Sequence, residues 1–382
     1  MNRYSAQPAS IIATLLRWLS AIDLVLVVTL IMLIVLGSLT LFSATGENEK
    51  MMNNHLVHLA LATLMMLLAS QIPGRMLNRW SIWIYGFGVF VLVLVLIQGH
   101  MGKGAQRWLE LGGLRFQPSE VMKLAVPMMV ASYFSKKNLP PTFKEIFIAS
   151  FIVVIPMYLI VKQPDLGTAL LVGSAGFFVI YFAGFPWKWL AWMTSVTVGV
   201  ALIVYFFELY EYIGLHDYQL KRITTLFDPS ADRLGSGYHI IQSTIAIGSG
   251  GVFGKGWLNG DQSRLDFLPE RHTDFIFAVF GEEFGLLGIL ILLSLYLFII
   301  WRGLYLATKG EDTYARLLGG SLSLTFFIYL LVNTGMVSGI LPVVGVPLPL
   351  VSYGGTSLVT LMTAFGLLMG MRRRKRGYNR EI

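Results

Sequence analysis

The chain has 382 residues, 55% of them hydrophobic and only 13% charged, which is more apolar than the roughly 45–50% of soluble domains and excludes a soluble enzyme. It has no cysteine, so disulfides, thiolate nucleophiles and cysteine metal sites are excluded too, and histidine, aspartate and glutamate must carry any chemistry. The net charge of +8 comes largely from Lys and Arg gathered in alternate loops and in the tail RRRKRGYNREI, a bias that suits anionic lipid and leaves nucleic acid out as a partner.

Apolar stretches long enough to cross a bilayer core of about 30 Å lie at roughly 21–43, 54–72, 80–99, 119–135, 145–162, 166–184, 187–207, 274–301, 315–337 and 352–371. We therefore expect an all-α, polytopic membrane protein with about ten transmembrane helices. The first stretch is too long for a removable signal peptide and has no small-residue cleavage pattern, so it is expected to remain. Counting Lys and Arg loop by loop puts both termini in the cytoplasm. Polar segments at 100–118, 208–273 and 336–351 then face outward, with the large extracytoplasmic loop between spans 7 and 8. Function should face outward with them.

The first outer segment, HMGKGAQRWLELGGLRFQP, carries Lys103, Arg107 and Arg115, either as solvated loop charges or as a patch for an anionic ligand. The fourth span opens with QPSEVMK, which sets Glu120 and Lys123 three residues apart on one helix face. An intrahelical ion pair explains them, and so does contact with an anionic ligand in a cavity. Asp165, in QPDLGT, reads as a helix cap.

In the long loop, YQLKRITTLFDP reads as a short amphipathic helix at the membrane interface. The glycine cluster that follows does not complete GxxxxGK[ST], because Gly256 stands after Lys255 where Ser or Thr is needed, so tight turns and close packing are expected there. No HExxH or GxSxG occurs, and the histidines show no metal-ligand spacing.

The eighth span opens with FLPERHTDFIFAVFGEEFG, residues 267–285. Thr273 as N-cap with Asp274 in the first turn would account for one acid. Alternatively, Asp274 with Arg271 and His272 lines a wet cavity and handles protons or cations. Glu282 and Glu283 lie about two turns deeper, where pairing or helix packing is the plain expectation. The segment SGILPVVGVPLPLVSYGG (338–355) is apolar but broken by Pro and Gly, so it should be irregular and buried against protein, since lipid would leave its backbone groups unpaired.

Taken in order, KGAQRW (103–108), FQPSEVMK (116–123), QPDLGT (163–168), DPSADRLGSGYHIIQS (228–243), GKGW (254–257), FLPERHTDFIFA (267–278) and GILPVVGVPLPLVSYGG (339–355) resemble the SEDS family, in its RodA (rod-shape) branch rather than the FtsW (cell-division) branch. The resemblance implies one integral membrane domain over 1–382, in the bacterial inner membrane. It also implies a peptidoglycan glycosyltransferase that polymerises lipid II into β-1,4-linked strands during elongation, with a class B penicillin-binding protein as partner. By the same resemblance Asp274 is the essential aspartate, and Glu120 and Lys123 line the central cavity. Substrate contacts would further come from Lys103, Arg107, Arg271 and His272. No resident metal is expected with certainty; a divalent cation, Mg or Mn, is the alternative source of positive charge. A lipid II flippase, or a non-catalytic scaffold for the crosslinking partner, fits the same ten spans.

Overall fold

The computed structural model describes residues 21–102, 105–111, 114–206, 222, 224–226, 228–232, 235–264, 267–268 and 270–372. Among these residues, each apolar stretch contains a long helix: α1 (Leu24–Ala44), α2 (Glu49–Ala69), α3 (Gly74–Gln98), α4 (Pro118–Phe134), α5 (Phe143–Lys162), α6 (Leu166–Phe182) and α7 (Trp187–Phe206). Shorter α8 (Ser236–Ser249) and α9 (Asp261–Arg264) follow, then α10 (Ile276–Thr308), α11 (Thr313–Val337) and α12 (Gly355–Gly370). Six of them (α1, α2, α3, α5, α10 and α11) are long and apolar enough to cross a membrane, while α6 and α12 are apolar but shorter. The chain is a multi-pass membrane protein. Lys103 and half of the expected interfacial helix at 218–229 lie outside the described residues.

The all-α expectation needs one correction. The outer segment expected as a loop forms a three-stranded antiparallel meander, β1 (His100–Gly102), β2 (Ala105–Leu111) and β3 (Leu114–Phe116), with Gly102 opposite Ala105 and Leu111 opposite Leu114. Lys103-Gly104 and Gly112-Gly113 stand between the strands, and two-residue, glycine-bearing gaps are what short hairpins use.

Helix starts follow local chemistry. The side chains of Asp23, Asn48, Asp165 and Asp312 accept from the amides of Leu26, Met51, Thr168 and Ala315, three residues on in each case. Thr142 and Glu145 close a capping box at α5. Asp165 is thus the cap it was read to be.

Two irregular pieces shape the outer end. The first is a break in α10 at Gly285, whose φ of 64° and ψ of −165° are not helical. The glycine loop after α8 fills that break. Lys255 and Gly256 donate their amides to the carbonyls of Glu282 and Glu283, and Leu286 and Leu287 donate to Gly251 and Val252. A Cβ on Gly250 or Gly254 would fall 2.1 Å from a carbonyl oxygen of α10, so this approach requires glycine. The cluster is therefore a packing device, as its failure to match a phosphate loop implied.

The second piece is the link from α11 to α12. It has no regular structure, yet Val346, Leu348, Leu350, Val351 and Ser352 are buried. Its polar backbone is answered piece by piece: Asn333 Nδ2 donates to the Val346 carbonyl (2.7 Å), Tyr296 Oη to the Pro349 carbonyl (2.6 Å), and the Leu348 amide donates to Ser352 Oγ (2.8 Å). Such pairing lets a non-helical segment sit at membrane depth.

Candidate active site at the outer end of the bundle

Asp274 does not sit in the first turn of α10. It lies on a tight turn, residues 270–275, that precedes the helix, and Thr273 does not cap it. The hydroxyl of Thr273 donates instead to Glu270 Oε2 at 2.8 Å, and the amides of Thr273 and Phe275 both donate to the Glu270 carbonyl. Glu270 itself is in the left-handed region, φ 53°. The N-cap reading of Thr273 is corrected accordingly: Glu270 draws the hydroxyl back and leaves the α10 start without a side-chain cap.

The turn is fastened from three directions. From α11, Asn333 Nδ2 donates to the Asp274 carbonyl (2.8 Å). The α11–α12 link holds the other edge, where Ser352 Oγ donates to the Thr273 carbonyl (2.5 Å) and the Tyr353 amide to the His272 carbonyl (2.8 Å). From the end of α1, the Ala44 carbonyl accepts from Arg271 Nε at 2.6 Å. The Asp274 carboxylate remains partly exposed and faces Gly345 of the link, where a Cβ would come within 3.5 Å of its Oδ2. The backbone of the turn is thus held by α1, α11 and the link together.

Neighbouring residues extend the site. The same link touches the start of α6, for a Cβ on Gly167 would lie 2.7 Å from the Val344 carbonyl. Next to Gly167, Asp165 receives Gln117 Nε2 at 3.2 Å and Arg107 Nε at 3.7 Å. Arg107 also donates to the carbonyls of Gln163 and Pro164. It is held by the α5–α6 turn beside the link, and half-buried. On the far side of the turn, the His239 ring stacks on Phe275 with centroids 5.4 Å apart and planes at 21°. Burial lowers the His239 pKa, against the charges of Glu270 and Asp232, which raise it. Tyr353 packs edge-on to His272 and His58 and tilted against His55, all at 6.3–6.5 Å.

Glu120 and Lys123 form the intrahelical pair, 2.7 Å apart, and both are buried. Lys123 also lies 5.0 Å from the centre of the Tyr329 ring on α11. Tyr329 is one turn before Asn333, so a line of polar groups runs from α4 through α11 to the turn bearing Asp274. Glu120 Oε2 is buried with no hydrogen-bond partner among the described residues. Glu282 is structural: it accepts from Lys255 Nζ (2.8 Å) and from the amides of Asp261 and Gln262. Glu283 takes the Ser43 hydroxyl of α1.

Sequence reasoning had not singled out Asn333, Tyr329, Tyr353 or His239 as parts of one site. The usable signal was Asn333, a lone amide inside an apolar span, where a polar side chain needs a partner.

The FTSW_RODA_SPOVE family of cell cycle proteins matches residues 16–377. The chain belongs to this family. It is 46% identical over 361 residues to the peptidoglycan glycosyltransferase MrdB of Escherichia coli K12, covering 94% of this chain and 96% of that one. The corresponding protein of Helicobacter pylori 26695 is 37% identical over 91% of this chain and 88% of its own. A probable peptidoglycan glycosyltransferase FtsW of Geobacter metallireducens is 32% identical, over 95% and 97%. Among solved structures, a chain of a peptidoglycan synthase complex that coordinates polymerization and crosslinking aligns with a TM-score of 0.76 at 31% identity, covering 91% of this chain and 96% of that one. The rod shape determining protein RodA of Thermus thermophilus aligns at 0.68 with 27% identity, over 93% and 98%. Within the family, the rod-shape branch expected from PERHTDFIFA is the one to which the more similar of these relatives belong.

Proposed function

We infer that this chain is a peptidoglycan glycosyltransferase of cell elongation, acting at the outer face of the bacterial inner membrane on lipid II. The observation that carries the site assignment is the backbone-fastened turn 270–275, which holds the partly exposed Asp274 among elements from three other parts of the chain.

The chemistry follows from the substrate class. A lipid-linked disaccharide on an α-pyrophosphate that yields a β-linked glycan inverts its anomeric carbon, so one direct displacement suffices. The acceptor 4-hydroxyl oxygen bonds to C1, the C1–pyrophosphate bond breaks, and the hydroxyl proton passes to Asp274. General-base assistance of this kind contributes roughly 10²–10⁴ in rate. A pyrophosphate departs as an anion, so it needs cations rather than the second carboxylate of a glycoside hydrolase. We assign that charge to Arg271, on the same turn, and Arg107, beside the link, with Lys103 and His272 as further substrate contacts.

Glu120 and Lys123 are proposed to act from inside the bundle, as a charged pair against which Tyr329, and through it Asn333, is set. Among the described residues no three His, Asp or Glu converge as a metal site. A divalent cation, Mg or Mn, carried on the substrate's own phosphates is the alternative source of that positive charge. The resemblance to a polymerizing and crosslinking complex supports a crosslinking partner, which we assign to a class B penicillin-binding protein.

The test is polymerisation of labelled lipid II by purified protein, with a β-lactam present to silence any copurified crosslinking enzyme. Wild type should form glycan strands. Asp274→Asn should form none while keeping the same melting profile. Strands from Asp274→Asn would remove this carboxylate from the mechanism, and transfer of labelled headgroup across vesicles without elongation would favour the flippase.

A further inference from the structure

A cleft of about 410 Å³ opens between the first two turns of α3 and the last two of α4, at the opposite end of the bundle from Asp274. Arg75, Asn78 and Arg79 line it from α3, and Met129, Tyr133 and Lys136 line it from α4. Charge is concentrated at one end. The other end is apolar, so the lining changes from cationic to hydrocarbon over about 10 Å of helix rise.

The cations there are not spoken for. Among the described residues neither Arg79 nor Lys136 has a carboxylate partner, whereas the adjacent Lys137 pairs with Glu145 at 3.6 Å. Arg75 reaches Glu311 only at 3.5 Å, and both side chains are largely exposed, a pair of little worth. Asn78 donates to Ser135 Oγ at 3.2 Å, yet its own Oδ1 is buried with no donor. The cleft thus presents two to three unneutralised cations and an apolar floor.

We propose that this cleft binds the headgroup of an anionic phospholipid, with the phosphate between Arg79 and Lys136 and the acyl chains leaving over Met129. A phosphate diester takes charge-assisted hydrogen bonds from arginine and lysine. The polarity of the cleft runs the same way as the polarity of the lipid. Basic pockets between transmembrane helices are a recurrent home for such headgroups. The site is separate from the turn carrying Asp274 and does not depend on the glycosyltransferase reading.

Native mass spectrometry of the full chain, released from nanodiscs of phosphatidylglycerol mixed with phosphatidylcholine, tests this. Wild type should retain phosphatidylglycerol adducts, and Arg79→Ala/Lys136→Ala should reduce them at least tenfold. Arg79→Lys/Lys136→Arg, which keeps the charge, should restore them, and Lys188→Ala, an exposed cation elsewhere, should leave them unchanged. Adducts undiminished in the double alanine variant overturn the proposal. So does equal retention of phosphatidylcholine. Inorganic phosphate that competes the lipid off at micromolar concentration would assign the cleft to a free anion instead.

Discussion

Asn333 spends both amide hydrogens on carbonyls, those of Asp274 and Val346, and so ties the turn to the α11–α12 link with one side chain. Removing it would orphan two carbonyls at about 1–3 kcal/mol for each buried group. Asn333→Ala should therefore lower the melting temperature by several degrees. If the amide positions Asp274, turnover should fall by more than the Michaelis constant rises; equal loss in both would mean that Asn333 merely supports the fold. His239 gives a second residue-scale prediction. Its pKa is lowered by burial, so the native state favours the neutral ring. The stability this contributes is complete above the ordinary histidine value near 6.5 and is lost as pH falls through the lowered one. Melting curves between pH 5 and 8 should show wild type losing stability towards acid more steeply than His239→Phe, which has no proton to bind.

At the scale of elements, the break in α10 and the glycine loop form one unit. Gly254 has a φ of 78°, and a Cβ there would lie 2.1 Å from the Glu283 carbonyl oxygen. The left-handed backbone alone costs a side chain about 1–2 kcal/mol, and displacing the loop adds to it. Gly254→Ala should lower stability measurably in a thermal-shift assay, whereas Gly248→Ala, helical with open space around it, should be neutral or slightly stabilising. Equal effects at the two positions would contradict the packing account. This unit also shows where the sequence stops being readable. Periodicity and hydropathy locate the long helices with ends off by up to seven residues, as where α10 runs to Thr308 against an expected 301, and Pro and Gly mark 338–355 as irregular. Neither reports which distant carbonyl a glycine must approach. Thr273 was misread for a related reason: a hydroxyl before a helix looks like a cap, and only the left-handed turn at Glu270 shows that it points backwards. Asp274 stood out because its motif did, but its supports, Asn333 and Ser352, lie 59 and 79 positions away from the residues they hold.

For the whole molecule, the contacts sort the connections between long helices into two sets. At one end Arg271 meets the end of α1, Arg107 meets the α5–α6 turn, and the α11–α12 link meets the turn before α10. At the other, Asp23 before α1 accepts from Arg302 at 2.8 Å and Arg372 at 3.1 Å, and Glu311 donates its amide to Met371. On either side of α1, α10, α11 and α12 these connections fall in opposite sets, as a helix that crosses requires. The weak points in that count are α4 and α6, of 17 residues, and α12, of 16, each about 25 Å long and short of an average core. Most residues of all three are buried against neighbouring helices, so a short hydrophobic length costs them little lipid contact. Because the chain lacks cysteine, the count can be checked without background: single cysteines at Glu47 and Phe253 should react with a membrane-impermeant maleimide in spheroplasts, and ones at Lys137 and Lys309 only after permeabilisation. If α4 or α6 failed to cross, the parity would change after it. Lys309→Cys would then label from the same side as Glu47→Cys, and the ten-span, cytoplasmic-termini topology would fall.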